Sequence, residues 1–272
     1  MADRVLLTGI SGFVGGNVAL ALLNAGFEVR GSVRSISKAD KVRATLARAG
    51  ADVTRLDFVE LDLLSADGWA EAVDGVRFLQ HSASPFLTSL PTDRTVLIRP
   101  AVEGTRRAIE AALAADVERI VLTSSVAAIS YGHDPARIAP FTADDWTNLD
   151  GPGVNAYIES KTRAEREAWS LMEAAGRRND LAVINPGFIQ GPLLDEDPGT
   201  SVGMVKRLFD GSLPATARVT LSIVDVRDVA AAHVAAMVDP GAGGRRFLMA
   251  NGERSMIQMA TILRDAMPDR RS

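Results

Sequence analysis

The sequence contains no cysteine in its 272 residues, which excludes disulfide bonds, thiolate metal ligands and a thiol nucleophile. This absence is typical of a protein from a reducing compartment. Histidine is also scarce, and His81, His133 and His233 lie too far apart in the sequence to suggest a histidine metal site. We therefore predict that the protein holds no metal.

Long apolar runs are missing as well. Apolar stretches such as residues 18–23 and 229–238 are short or interrupted, whereas a bilayer span needs roughly 20 residues. The N-terminus has neither the apolar core nor the cleavage site of a signal peptide. With 30 basic and 34 acidic residues, the net charge of −4 offers no positive excess for nucleic acid or anionic membranes. We predict a soluble cytoplasmic protein, a monomer or homodimer, with neither of those partners.

Short apolar runs alternate with longer amphipathic segments, a pattern typical of βαβ units and a parallel sheet. The predicted strands cover residues 4–8, 27–33, 54–61, 77–80, 119–123 and 181–185. The predicted helices cover residues 12–24, 38–49, 66–73, 95–114 and 154–175. The pattern therefore predicts an α/β fold of the Rossmann type, with a doubly wound parallel sheet.

The rhythm changes after Pro186, where glycine and proline become frequent. Beyond it we predict helices near 201–209, 226–238 and 255–267 and a strand near 219–224. Residues 1–186 are the expected dinucleotide-binding domain. Residues 187–272 are expected to form mostly a small substrate lobe, interleaved with the last sheet strands, over the carboxyl ends of the sheet where open α/β folds bind ligands.

A glycine-rich loop joins the first strand to the first helix. Gly9 permits a tight turn, Gly12 lets the backbone approach a pyrophosphate, and Gly15 lets the helix pack closely on the sheet. The helix N-terminus attracts the anion. We predict that this loop, including Phe13 and Val14, binds a dinucleotide; the alternative is a structural turn without a ligand.

The end of the second strand indicates which dinucleotide is bound. NAD sites place an acid there for the ribose 2′-hydroxyl, and NADP sites place a base for the 2′-phosphate. Arg34 ends this strand and Lys41 follows at the next helix start, whereas Glu28 lies at the wrong end. NADP is therefore favoured, the alternative being that both bases are ordinary surface residues. Asp62, after the third strand, is placed either to accept a hydrogen bond from adenine or to cap the following helix.

Tyr157 and Lys161 form the most informative motif. The chain has only two tyrosines and four lysines, so a chance Tyr-x-x-x-Lys match is improbable. Residues four apart share a helix face, so the ammonium can lower the pKa of the phenol and let it exchange a proton near neutral pH. The fifth strand ends in Thr123-Ser124-Ser125, from which a hydroxyl can reach the same ligand. The alternative is a solvated helical pair.

Taken together, these motifs resemble the extended short-chain dehydrogenase/reductase family, and within it the dihydroflavonol reductase and cinnamoyl-CoA reductase-like group. The resemblance runs from the N-terminus to about Val238. The other stretches that carry it are His81-Ser82-Ala83-Ser84-Pro85, Asn185-Pro186-Gly187 and Val226-Arg227-Asp228-Val229-Ala230.

The resemblance implies roles for individual residues. Ser125 is expected to orient the carbonyl, Tyr157 to protonate it, and Lys161 to tune Tyr157 and bind the nicotinamide ribose. Pro186 to Ile189 are expected to line the nicotinamide pocket. The full set of expected cofactor-binding residues is Gly9, Gly12, Phe13, Val14, Gly15, Arg34, Lys41, Asp62, Leu63, Ser82, Ala83, Ser84, Thr123, Tyr157, Lys161, Pro186, Gly187, Phe188 and Ile189.

The chain departs from the family pattern at two points. Residues 99–105 contain no asparagine, whereas the family often places one there for a proton relay. Relatives also commonly run some dozens of residues beyond this C-terminus. The chain is therefore expected to be either a short member or one that lacks part of the substrate lobe.

The expected function is an NADP-dependent oxidoreductase that transfers hydride between nicotinamide and a ketone or aldehyde carbonyl of a small to medium apolar substrate. A sugar-nucleotide epimerase or dehydratase of the same family is one alternative, disfavoured by Arg34. A regulator that senses NADP without turnover is another, disfavoured by the intact Tyr157 and Lys161.

Several other polar residues are expected to be structural. Each of the three histidines is expected to be a packed or surface residue. Arg227 and Asp228 are expected to form a helix cap and an ion pair.

The candidates for an apolar substrate pocket are Phe86, Leu87, Ile129, Tyr131, Phe188 and Met204.

Overall fold

The computed structural model describes residues 3–84, 92–196, 199–212 and 218–267. In these ranges the strands are β1 (Arg4–Thr8), β2 (Glu28–Val33), β3 (Leu56–Glu60), β4 (Phe78–His81), β5 (Arg119–Thr123), β6 (Leu181–Pro186), β7 (Phe188–Gln190), β8 (Thr220–Asp225), β9 (Arg245–Met249) and β10 (Glu253–Ser255). The α-helices are α1 (Phe13–Asn24), α2 (Ala39–Arg48), α3 (Trp69–Val73), α4 (Thr95–Ala114), α5 (Ala156–Ala174), α6 (Gly199–Phe209), α7 (Val226–Val238) and α8 (Met256–Ala266).

The main sheet has seven strands in the order β3-β2-β1-β4-β5-β6-β9, and every adjacent pair is parallel. The direction of winding reverses between β1 and β4. In open parallel sheets this reversal opens a crevice at the carboxyl ends of the strands, where ligands bind. The predicted α/β Rossmann fold is confirmed.

The two faces of the sheet pack into separate hydrophobic cores, because successive side chains along a strand point to opposite faces. In β1, Val5 and Leu7 join one cluster with α1 and α7, whereas Leu6 joins the other with α4 and α5. Burial on both faces explains why β1 and β6 are continuous apolar runs rather than alternating ones.

The part after Pro186 was predicted least completely. Its helices and the strand β8 were expected, but β7, β9 and β10 were not. β9 joins the main sheet beside β6, and β10, β8 and β7 form a second, three-stranded sheet. The apolar pattern did not predict β9 because the strand begins with Arg245 and Arg246. Arg246 is held in the sheet by an ion pair with the buried Glu165.

The predicted third helix was too long at its N-terminus. The structure starts α3 at Trp69, with Gly68 as its N-cap at a φ of +81°. The preceding residues form side-chain turns instead, with the amide of Asp67 donating to Ser65 Oγ at 3.0 Å.

Within the described ranges, no helix has the length and apolarity that a bilayer crossing demands. The same part of the chain has no group of three or more histidine, aspartate or glutamate side chains placed to hold a metal ion.

Candidate active site

The glycine loop and the end of β4 meet at the crevice. Gly9 has a φ of +74°, and a Cβ there would lie 2.8 Å from the Ala83 Cα. A Cβ on Gly15 would lie 2.1 Å from the Gly9 carbonyl oxygen. The loop is therefore packed too closely for any side chain at these two positions.

The helix that follows the loop leaves its N-terminus open. Gly12 is the N-cap of α1 and provides no side-chain cap for the first amide groups. Phe13 and Val14 begin the helix, and Val14 packs against the core while Phe13 lies against Gly199. Uncapped amides with a positive helix dipole suit a pyrophosphate, and the close approach of the glycines leaves it access, so these residues fit a dinucleotide.

Arg34 directly follows β2, Lys41 lies in the first turn of α2, and both are exposed. Lys41 Nζ lies 3.4 Å from Asp195 Oδ2, in the segment that follows β7. Glu28, at the opposite end of β2, pairs with Arg4 at 3.2 Å. Both bases are therefore accessible from solvent, and Asp195 is a neighbour of Lys41 that the sequence did not indicate.

Asp62 and Leu63 follow β3 at the same edge of the sheet. The amide of Leu64 donates to Asp62 Oδ1 at 2.9 Å, so Asp62 closes a local turn. The alternative that Asp62 caps the next helix was wrong, since Gly68 holds that position. Leu63 faces α4, where a Cβ on Gly104 would lie 2.9 Å from the Leu63 Cβ.

A buried chain of hydrogen bonds runs behind Ser82 and Thr123. Gln80 Nε2 donates to the His233 carbonyl at 3.0 Å, and Gln80 Oε1 accepts from His233 Nδ1 at 2.8 Å. Because Nδ1 carries the proton, His233 Nε2 accepts from Thr123 Oγ1 at 3.0 Å, which leaves Ser82 to donate to Thr123 at 3.0 Å. This network fixes which way each hydroxyl points at the edge of the crevice.

His81 also lies beneath the crevice. Thr8 Oγ1 accepts from the Ala83 amide at 3.1 Å and forms a hydrogen bond of 2.8 Å with His81 Nδ1. Burial, helped by the charge of Lys161, lowers the pKa of His81 to about 3. Burial alone lowers the pKa of His233 to about 3. As predicted, both are packed residues, and both remain neutral at physiological pH.

Ser125 is the second residue after β5 and is buried. Its Oγ accepts from the Ala127 amide at 3.1 Å, at the start of a short 3₁₀ turn. Asn185 Nδ2 donates to the Ser125 carbonyl at 3.2 Å. These bonds fix the position of Ser125 at the carboxyl end of the sheet.

Tyr157 lies in the first turn of α5, whose N-cap Asn155 accepts from the Ile158 amide at 3.0 Å. The residue is 40% exposed, which leaves it accessible to a substrate. Its hydroxyl interacts with the Ser125 side chain, which brings the predicted pair together.

The pKa of Tyr157 differs from the sequence expectation. Burial of the hydroxyl raises it above the ordinary phenol value, the hydrogen bond with Ser125 lowers it, and Tyr131 raises it. The expected lowering of this pKa by Lys161 was wrong, because loss of hydration outweighs the hydrogen bond with Ser125 and Lys161 is not among the groups that shift it. Burial lowers the pKa of Lys161 itself to about 8, while Glu165 acts in the opposite direction.

Pro186 to Ile189 connect the two sheets. Pro186 ends β6 and is buried, and Gly187 passes so close to β8 that a Cβ would lie 2.3 Å from the Ser222 carbonyl oxygen. Phe188 pairs with Ile223, and Ile189 packs against the core.

Two minor expectations need correction. Asp225, not Asp228, caps α7, and Arg227 pairs with that same Asp225 at 2.7 Å. Ile129 is fully buried and therefore cannot line a pocket. Phe86 and Leu87 lie outside the described residues.

The model of the NAD dependent epimerase/dehydratase family matches residues 5–250 of the chain. The chain belongs to this family. It is 35% identical over 250 residues to tetraketide alpha-pyrone reductase 2 of Arabidopsis thaliana, covering 89% of this chain and 76% of that protein. It is 36% identical over 246 residues to cinnamoyl-CoA reductase 1 of Petunia hybrida, covering 89% and 71%.

Solved structures agree with this placement. Yeast methylglyoxal/isovaleraldehyde reductase Gre2 complexed with NADPH matches with a TM-score of 0.84 at 25% identity, over 97% of this chain and 83% of that one. Gre2 of Candida albicans, also complexed with NADPH, matches with a TM-score of 0.84 at 28% identity, over 98% and 83%. The predicted membership of the extended short-chain dehydrogenase/reductase family is confirmed. The protein is a nicotinamide-dependent reductase of this family.

Proposed function

We propose that the protein is an NADP(H)-dependent oxidoreductase that transfers hydride between nicotinamide and the carbonyl carbon of an aldehyde or ketone. The observation that carries the proposal is the meeting of the Ser125 and Tyr157 hydroxyls at the carboxyl end of β5, with Lys161 one helical turn further on. This trio lies at the same sheet edge as the glycine loop. The reductases named above support the carbonyl substrate, and the two NADPH complexes support the cofactor.

The proposed cofactor-binding residues fall into groups, each of which would contact a different part of the dinucleotide. The loop from Gly9 to Gly15 would hold the pyrophosphate, Arg34 and Lys41 the 2′-phosphate, and Lys161 the nicotinamide ribose. Asp62 and Leu63 would flank the adenine. The residues proposed to line the nicotinamide end are Ser82, Ala83, Ser84, Thr123, Pro186, Gly187, Phe188 and Ile189. When bound, the nicotinamide would supply the hydride for reduction or accept it in the reverse direction.

The protein supplies orientation and the proton. Ser125 Oγ accepts from the Ala127 amide, and its O–H would donate to the substrate carbonyl oxygen. Tyr157 has a raised pKa and therefore starts as a protonated phenol, the state that can donate to the oxygen as negative charge develops there. Lys161 stays protonated below its pKa of about 8, so its charge favours the phenolate left after donation.

We also propose that the chain is divided into two functional parts. Residues 1–186 would bind the dinucleotide, and residues 187–272 would mostly form the substrate lobe. Tyr131 and Met204, both partly exposed, would give the substrate pocket an apolar wall.

The decisive experiment follows NADPH absorbance with the purified protein and a panel of aldehydes, ketones, hydroxysteroids and flavonoid-like ketones. We expect substrate-dependent loss of NADPH with at least one apolar carbonyl compound, and slower loss with NADH. Binding of NADPH without turnover of any compound would favour the sensing regulator. Interconversion of sugar nucleotides without net NADPH loss would favour the epimerase alternative.

A further inference from the structure

One glutamate on α5 is buried directly behind the proposed catalytic residues. Glu165 is fully buried and lies two helical turns from Tyr157 and one from Lys161, on the same face of the helix. Neither its spacing nor its charge singled it out in the sequence. A carboxylate buried in this way is stable only with full hydrogen bonding and an opposite charge beside it.

Both carboxylate oxygens of Glu165 are occupied by donors. Oε1 accepts from Arg246 Nε at 2.5 Å and from Trp169 Nε1 at 3.3 Å. Oε2 accepts from Ser124 Oγ at 2.5 Å and from Asn185 Nδ2 at 2.8 Å. Four donors from four different parts of the chain therefore converge on one acceptor group.

The charge partner is fixed as firmly as the carboxylate. Arg246, on β9, donates to the carbonyl oxygens of Ala143 at 2.7 Å and Asp145 at 2.6 Å. Its guanidinium lies 3.9 Å from the ring centre of Trp146. This arginine has little freedom to move, so the ion pair with Glu165 ties α5 to the edge strand of the sheet.

Two of the four donors also control Ser125. Ser124 is its neighbour in the chain, and Asn185 donates both to Glu165 and to the Ser125 carbonyl. Because both of these partners are acceptors, the Asn185 amide can point only one way. Glu165 thus fixes the backbone of Ser125 through two independent bonds.

We propose that Glu165 is a positioning residue for the reaction, holding Ser125 in place through Ser124 and Asn185 and keeping the Lys161 ammonium charged. The inference rests on the proposed function for its catalytic part. Lys161 is faced by Glu165 and Tyr157 from its own helix and by His81 from β4, with Arg246 beyond Glu165. Glu165 is the one carboxylate in this set, so its charge opposes the effect of burial on Lys161.

Glu165→Gln tests both parts because glutamine keeps the shape but places an amide where two donors now point. The new amide faces either Ser124 and Asn185 or Arg246 and Trp169, and in both cases the groups that hold Ser125 lose their charged acceptor. We expect kcat to fall about tenfold to a hundredfold, as misplacement of a reacting group does. We also expect the alkaline limb of the kcat/KM profile to move to lower pH, because Lys161 loses its neighbouring negative charge.

The charge effect has a readout that does not depend on turnover. The chain has four lysines, so ¹³C-lysine labelling of the full chain gives few resonances, and Lys161→Ala assigns the relevant one. In the wild type we expect this resonance to titrate with a pKa of about 8. In Glu165→Gln it should titrate at least about one pH unit lower.

Two further variants separate folding from positioning. Glu167→Gln is the matched control, because Glu167 lies on the same helix but pairs with Arg106 at 2.7 Å, away from the site; it should leave kcat and the Lys161 titration unchanged. Ser124→Ala removes one bond to Glu165 without changing charge, so it should lower kcat severalfold and leave the alkaline limb in place. It provides the positioning test even if Glu165→Gln does not fold.

The outcomes distinguish the two proposals. An active wild type whose kcat survives Ser124→Ala, and whose Lys161 titration and kcat survive Glu165→Gln, would overturn the role of Glu165. A wild type inactive on every carbonyl compound would overturn the proposed function, while a lowered Lys161 pKa in Glu165→Gln would still support the charge effect.

Discussion

Lys41 Nζ lies 3.4 Å from Oδ2 of Asp195, so a carboxylate already occupies one side of the proposed 2′-phosphate site. Asp195 and its neighbour Leu194 also border a cavity of about 30 Å³ beside the glycine loop, together with Phe13 and Val42. A bound 2′-phosphate would compete with this carboxylate for Lys41. The 68% exposed Lys41 side chain leaves it free to turn toward a ligand.

The cofactor preference can be reversed by charge. Wild-type protein should bind NADP about tenfold more tightly than NAD or better, because charge-assisted bonds from Arg34 and Lys41 add to the shared contacts. Arg34→Glu with Lys41→Ala should reverse this order, since the new carboxylate repels the phosphate and can accept the ribose 2′-hydroxyl. Fluorescence titration with both dinucleotides measures the two dissociation constants.

The control is Arg55→Glu, which makes the same charge change as Arg34→Glu alone, just before β3, where Arg55 pairs with Asp52 at 3.4 Å. It should leave the preference intact, and added salt should weaken NADP binding more than NAD binding. Equal wild-type affinity for NAD and NADP would mean that Arg34 and Lys41 are ordinary surface bases.

Tyr157→Phe should remove most turnover and leave NADP binding nearly unchanged. The substitution deletes one hydroxyl that interacts with Ser125 but keeps the ring, and it leaves every other expected cofactor-binding residue in place. General acid catalysis is worth about 10² to 10⁴ in rate, so kcat should fall by that order. Steady-state kinetics and NADP titration on the same preparation make the comparison, and a variant that keeps more than half of the wild-type kcat contradicts the assignment.

Lys161→Ala should lower turnover and also weaken cofactor binding. The ammonium is lost as pH rises through the pKa of about 8, so the wild-type kcat/KM should decline above that pH. Lys206→Ala, on the exposed side of α6, is the matched control and should preserve NADP affinity. Identical dissociation constants for NADP in wild type and Lys161→Ala would rule out a ribose contact.

Gly15→Ala should weaken NADP binding and lower the free energy of unfolding, because its methyl group would lie 2.1 Å from the Gly9 carbonyl oxygen. Gly16→Ala is a matched control in the next position of α1, where the nearest atom to a new Cβ is Leu194 Cδ1 at 3.5 Å. This second change should leave the protein as stable or up to about 1 kcal/mol more stable, since alanine favours a helix over glycine. Urea unfolding of both variants tests the contrast, and equal effects of the two would be inconsistent with it.

The buried histidines should make the protein lose stability in mild acid. The pKa of His81 and of His233 is about 3 when folded and near 6.5 when unfolded, so the unfolded chain binds more protons between these values. Stability is fully present above pH 6.5 and falls as pH drops below it, by up to about 1.4 kcal/mol per pH unit for each histidine.

Urea unfolding between pH 7.5 and about 5.5 measures this slope above the range in which carboxylates titrate. His233→Gln should reduce the slope by about half, although it also breaks the bonds to Gln80 and Thr123. A slope equal to that of the wild type would show that His233 does not stay neutral in the folded protein.

Much of the fold was readable because it depends on local signals. The strand β1, the glycines that follow it and the helix α1 are encoded in adjacent residues, so apolar runs and turn chemistry predict them directly. The same holds for Tyr157 and Lys161, whose shared helix face follows from a spacing of four. These features, and the family they indicate, were determined by the sequence alone.

Other features were decided only when distant segments packed together. Glu165 meets Arg246 across 81 residues, and Gln80 meets His233 across 153. No local pattern marks such pairs, and a charged residue at the start of β9 even conceals the strand. The pKa of Tyr157 belongs to the same class, because it depends on how deeply packing removes the hydroxyl from water, and hydration is a property of the assembled crevice rather than of the chain.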